Sequence, residues 1–286
     1  MIAFLPRANP AELKKKIEHI VGDRSLFSGQ RHLAAVESYI EEELKSYGLS
    51  VESDIFTYWG KSYRNLIGRV GSADRDASLV ILGAHFDSVE GTPGADDNAS
   101  GVAVLLETAR LLSSVGLRSQ VLFCAFNLEE LNMIGSNHFA KKLKRAGVRV
   151  RAMISLEMVG FTNPRPGGQK YPVGLRWFYP QRGDFIGVIG NWRSASLLKR
   201  FTRSMRQVQG LPVETLTVLG NGFLIPAVRL SDHAPFWDAG YPALLVTDTS
   251  FFRNPHYHSP SDTPETLDLD FMAKVCQGVV NAVLNL

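Results

Sequence analysis

The spacing of apolar residues sorts this chain into helices and strands. Over residues 30–47 Leu33, Val36, Ile40 and Leu44 recur every three or four positions, which gives a helix one apolar face, and Gly48 stops it. An earlier helix over about 10–21 starts at Asn9-Pro10, a capping side chain followed by a residue whose fixed φ suits the first turn. Residues 51–58 and 64–70 alternate polar and apolar, the period of a half-buried strand. Beyond them the pattern changes. Unbroken apolar runs at 79–82, 121–126, 152–156 and 243–246 predict strands buried on both faces. Helical segments at 102–112 and 139–145 lie between them, and a closing helix begins at about Asp270. Buried strands separated by helices predict an α/β fold with a mostly parallel sheet covered on both sides.

One stretch breaks this rhythm. Residues 161–184 are rich in Gly, Pro and aromatics, a long excursion of the kind that lines functional sites. No repeat or linker divides the chain, so residues 1–286 read as one domain, with the helical segment 9–48 packed on it. The 31 basic and 28 acidic residues leave a net charge of +3, too small to imply a nucleic-acid or membrane partner. The basic clusters at 14–16 and 141–145 sit in helical segments and read as solvated faces. Of the two cysteines, Cys124 lies within a buried run, and neither has CxxC spacing, so a metal here needs His and carboxylate ligands. Residues 1–7 lack a basic leader, and no apolar run is long enough to cross a bilayer. The expectation is a soluble protein, cytoplasmic as it stands, or secreted or periplasmic if a signal peptide has been removed. Its oligomeric state is left open.

The candidate chemistry follows the buried strands, at the edge where open α/β sheets bind ligands. His85 and Asp87 suit a metal-ligating imidazole oriented by an acid, or equally a strand-end His bonded to its neighbour. Asp96 and Asp97, before the apolar helix at Val102, suit a carboxylate bridging two cations, or a helix cap. Glu129 and Glu130 can divide metal binding from proton transfer, although exposed Glu pairs are common. Glu157 closes another strand, and His256-Tyr257-His258 precedes Asp262. Each fragment has an ordinary explanation alone. Together they do not.

These motifs together resemble peptidase family M28, zinc enzymes that include bacterial leucyl aminopeptidases. The matching stretches are Gly-Ala-His85-Phe-Asp87-Ser, Gly-Ala-Asp-Asp97-Asn-Ala-Ser-Gly, Glu129-Glu130, Leu-Glu157-Met, Ser231-Asp232-His233-Ala-Pro-Phe and Tyr257-His258-Ser-Pro-Ser-Asp262-Thr. The resemblance implies a three-layer αβα sandwich with a mostly parallel mixed sheet, as in zinc exopeptidases. It implies two Zn2+ per chain, with Asp97 shared, His85 and Glu157 completing one site, and Glu130 and His258 the other. Asp87 would orient His85, Glu129 would be the general base over a metal-bridging hydroxide, and Tyr257 would donate to the oxyanion. His233 lies in a motif that looks structural in the family, and His256 matches no ligand.

Glu157 departs from the family pattern, which most often has Asp there. The activity implied is release of N-terminal residues from peptides with a free N-terminus. The alternatives are a single-zinc glutaminyl cyclase, a dipeptidase or carboxypeptidase, and a non-catalytic binding domain.

Overall fold

Asn9 caps the first helix, α1 (Pro10–Ile20): its side-chain oxygen accepts from the Ala11 amide at 2.9 Å, and Pro10 fills a first turn that needs no N–H. The computed structural model describes residues 7–71, 78–117, 119–172 and 174–286. The reading of residues 1–6 as lacking a leader, and position 173 of the long excursion, lie outside the described residues. Helix α2 (Gln30–Ser46) buries Leu33, Val36, Ile40 and Leu44, and the chain leaves it through Gly48 at a φ of 80°. Strands β1 (Ser50–Tyr58) and β2 (Lys61–Val70) form an antiparallel hairpin. Its two turn residues, Trp59 and Gly60, both take positive φ, as the twist of a short hairpin requires.

The remaining elements are β3 (Leu79–His85), α3 (Gly101–Ser113), β4 (Val121–Phe126), α4 (Ile134–Arg145), β5 (Val150–Glu157), β6 (Ile186–Asn191), α5 (Ala195–Met205), β7 (Val213–Val218), α6 (His233–Asp238), β8 (Ala243–Thr247) and α7 (Leu269–Leu284). All strands join one sheet in the order β1-β2-β4-β3-β5-β8-β6-β7. The central four, β4, β3, β5 and β8, are parallel. The flanks reverse: β2 is antiparallel to β4, and β6 is antiparallel to β8 while parallel to β7. The sheet is therefore mixed with a parallel centre.

Side chains alternate between two apolar layers, which is why the central runs are apolar without a break. Val80, Leu82, Val121, Phe123, Ile154, Leu244 and Val246 pack toward α1, α2, α3, α5 and α7. Ile81, Leu122, Phe126, Met153 and Leu245 pack toward α4 and α6. Each such side chain contributes about 1.5–3 kcal/mol through burial. Strands β6 and β7 and helices α5 and α6 were not expected from the sequence. Gly187 and Gly190 interrupt the apolar run of β6, and β7 is half polar because it is the edge. Among the described residues no helix is long and apolar enough to cross a membrane.

One buried cation ties the α1–α2 connection to the edge of the parallel strands. Arg24 is fully buried, and among the described residues its guanidinium donates only to backbone carbonyls: Nε to Phe86, Nη1 to Ile20, Gly22 and Pro93, and Nη2 to Gly94 at 2.9 Å and Asp97 at 3.4 Å. Gly94 is needed beneath it, since a Cβ there would lie 2.6 Å from Nη2 and 2.3 Å from the Asp97 carbonyl. Burial lowers the Arg24 guanidinium to about 10, so it stays charged at neutral pH, supported by Asp97 and Asp87. Replacing it leaves several buried carbonyls without donors. Arg24→Met is expected to cost about 3 kcal/mol or more of unfolding free energy in urea titration. A loss under about 1 kcal/mol would show that these bonds do not secure the segment.

Candidate metal centre

Because β3, β4, β5 and β8 are parallel, their C-terminal ends share one edge, and the loops leaving them converge there. His85 ends β3, Glu129 and Glu130 follow β4, Glu157 ends β5, and His258 lies in the long connection after β8. Asp97 comes from the tight turn before α3. The structure brings these side chains together as two sets. His85 Nε2 lies 3.4 Å from Asp97 Oδ1 and 3.4 Å from Glu157 Oε2. His258 Nε2 lies 3.2 Å from Asp97 Oδ2 and 3.4 Å from Glu130 Oε2. Asp97 thus turns one oxygen to each imidazole. His85, Asp97 and Glu130 also offer ligand atoms within 4.8 Å of one another.

Each acid is held from behind. The two oxygens of Asp87 accept from the amides of Glu129 at 3.0 Å and Glu130 at 3.1 Å, which fixes the pair, and Oδ1 also lies 3.5 Å from His85 Nδ1. Asp262 does the same for the other loop, accepting from the amides of Asp96 and Asp97. Asn98 donates to the Leu156 carbonyl and accepts from Gly101 and Met158, clamping the Asp97 turn to the end of β5. Asp96 points away from the two sets and accepts from Gly160 and Asn254. The Ser231 hydroxyl donates to Glu157 Oε2 at 2.8 Å, a contact the sequence motif did not disclose. Arg24 and Asn98 were also missed, because an Arg or Asn that bonds backbone leaves no periodic signal.

Four other residues of these motifs, Glu129, Tyr257, His256 and His233, stand outside both sets. Glu129 Oε2 is 3.9 Å from His85 Nε2, and its side chain makes no hydrogen bond among the described residues. Tyr257 stacks on His258, ring centroids 3.7 Å apart, and lines the same cavity. His256 turns to Ser261 at 2.8 Å. His233 is fully buried against Trp237, with Nε2 2.8 Å from the Val228 carbonyl, and burial lowers it to about 3. It is a neutral core imidazole.

The electrostatics ask for cations. Burial, reinforced by Glu157 and Asp232, raises Glu129 well above the usual carboxylate range. Burial and Asp97 raise Glu130 to about 7. Burial would raise Asp97 as well, but His258 and His85 hold it below its ordinary value. Burial opposes charge on His85, yet Glu157 and Glu129 raise it. His85 Nε2 and Glu130 Oε1 are buried without a hydrogen bond. A His and carboxylate donor set of this kind fits Zn2+.

The comparisons agree with this chemistry. The family model for peptidase family M28 matches residues 65–283, and the chain belongs to this family of zinc-dependent peptidases. It is 35% identical to the uncharacterized protein YfbL of Escherichia coli K12, covering 97% of this chain and 88% of that protein. It is 33% identical to a probable leucine aminopeptidase of Arthroderma otae over 70% of this chain and 52% of the relative, so it spans about half of that protein's length. Among solved structures LapA of Legionella pneumophila superposes with a TM-score of 0.77 at 20% identity, covering 97% of this chain and 73% of that one; that likeness concerns the fold.

A pH dependence follows for the metal-free protein. Glu130, Asp232 and Asp262, each raised to about 7 chiefly by burial, bind more protons folded than unfolded up to that pH. His258, raised to about 10 by Asp97 and Glu130 against the pull of burial, does so from its ordinary value upward. Both effects make stability fall as pH rises; His233 acts oppositely, but only below about 6.5. The melting temperature of chelated protein should therefore decline from pH 6.5 to 10, and zinc should raise it more at pH 8 than at pH 6. A flat metal-free profile with no zinc response would contradict the metal reading.

Proposed function

We propose that the chain acts as one peptidase unit, a two-zinc aminopeptidase that releases N-terminal residues from peptides. The observation that carries this reading is the single Asp97 carboxylate placed between two His and Glu pairs. His85, Asp97 and Glu157 would hold one ion, and Asp97, Glu130 and His258 the other. When bound, zinc supplies Lewis acidity, which draws proton loss from water toward neutral pH and polarises a carbonyl. Glu157 in place of the family's usual Asp is accommodated here, since Ser231 anchors its oxygen beside His85.

The protein's own groups do the rest. Glu129 belongs to neither set and faces the same space, so its Oε2 is free to take a proton from the attacking water and deliver it to the leaving amine. Its raised pKa suits a group that must both accept and donate. Asp87 keeps that carboxylate in place through the Glu129 amide and orients His85 through Nδ1. Tyr257, on the cavity wall beside His258, is positioned to donate to the developing oxyanion. Glu129 and Glu157 together offer negative charge to a free α-amine.

Glu129→Gln should lower kcat by about a thousandfold or more while zinc content stays at two per chain, whereas Tyr257→Phe should lose about 100- to 1,000-fold and remain measurable. Substantial turnover by Glu129→Gln would remove it from this role. N-acetylated peptides should resist cleavage, and their hydrolysis would rule out aminopeptidase action. One tightly held zinc together with pyroglutamate formation would replace this reading by glutaminyl cyclisation.

A further inference from the structure

The register of the sheet leads away from the acids to a feature no motif covers. Glu157 of β5 pairs with Thr247 of β8, Thr247 with Gly187 of β6, and Gly187 with Glu214 of β7. Paired residues share a face, so these four form one row across the sheet. The row beside it on the same face is apolar: Leu245, Ile189 and Leu216. Together they floor a cavity of about 370 Å³ that opens at Glu129, Glu157, Tyr257 and His258 and is walled by Tyr171 and Tyr179 of the excursion. Gly187 leaves the middle of the polar row without a side chain, so the trough stays open. At about 4.8 Å per strand, the Glu214 backbone lies about 14 Å from that of Glu157.

Glu214 is out of place in such a cavity. It is half-buried on an apolar wall and makes no hydrogen bond or ion pair among the described residues. Burial raises its carboxyl above the usual range, with Arg206 pulling it back. The exposed Arg206 spends its guanidinium on the Val213 carbonyl at 3.0 Å. Lys170 lines the cavity as well, on its exposed rim, without pairing to Glu214. An apolar trough alone would suit a leucyl or phenylalanyl side chain, and a leucyl side chain ends well short of β7.

We propose that this cavity seats the side chain of an N-terminal lysine or arginine, its methylenes on Leu245, Ile189 and Leu216 and its cationic tip at the Glu214 carboxylate. The proposal rests on the aminopeptidase reading and adds its substrate class. A long amphipathic side chain fills both parts of the trough, the apolar floor and the carboxylate at its end. An acidic side chain is repelled there.

The test compares lysyl, arginyl, norleucyl and leucyl 4-nitroanilides, norleucine being the lysine stem without its amine. In the zinc-loaded protein kcat/KM should favour lysyl over norleucyl by about tenfold, and Glu214→Gln should cut that ratio about tenfold or more. Glu214→Lys should cut it further. Calorimetric binding of free L-lysine against L-norleucine should show the same dependence on Glu214. Cleavage of leucyl and norleucyl substrates with a lysyl ratio indifferent to Glu214 overturns the subsite alone. Failure to cleave any aminoacyl substrate overturns the aminopeptidase reading, and the subsite with it.

Discussion

Five carboxylates, Asp87, Asp97, Glu129, Glu130 and Glu157, crowd around His85 and His258, with His85, Asp87, Asp97 and Glu157 buried and Glu129, Glu130 and His258 on the cavity side. Unit charges about 4 Å apart interact by about 4 kcal/mol at an effective dielectric of 20, so the repulsion among them rivals the stability of a whole domain. Backbone amides answer part of it: two for Asp87, and two more for the neighbouring Asp262. Arg24 answers part from below while holding the backbone that carries Asp97. His85 Nε2 and Glu130 Oε1 are among the buried atoms that stay without a hydrogen bond. The surrounding fold keeps these groups together, and the parallel strands are the frame that permits it.

That frame was legible in the chain. The four central strands announced themselves as unbroken apolar runs, and the ligand candidates as polar groups following each run: His85 after 79–82, Glu129 and Glu130 after 121–126, Glu157 after 152–156. Their convergence needs only that the strands be parallel, which the intervening helices implied. Which oxygen of Asp97 faces which imidazole was not legible, because it depends on a turn clamped by Asn98 and Asp262 from distant segments. Arg24 was invisible for a similar reason. Its partners are carbonyls, and carbonyls carry no residue identity.

The reversal of β6 was the larger omission, and it explains the excursion. Strand β5 ends at the metal edge with Glu157, and the chain next enters the sheet at β6. A parallel β6 would have to start at the opposite edge, so residues 161–184 would have to cross the whole sheet, ordinarily as a helix. Because β6 runs antiparallel to β8, it starts at the same edge, with Gly187 level with Thr247. Both ends of the excursion therefore lie at the edge that carries Glu157. Asn163 and Gly183 pair across its base, N to O at 2.7 and 2.8 Å, closing it into a loop that folds back over the cavity. Its Gly, Pro and aromatic content then has a physical reason. Pro and Gly keep it from forming the crossover helix, and Tyr171 and Tyr179 wall the trough. The division is one of topology: the parallel quartet gathers the charges, while the reversed pair β6 and β7, brought level with them, extends the same edge into the cavity beside them.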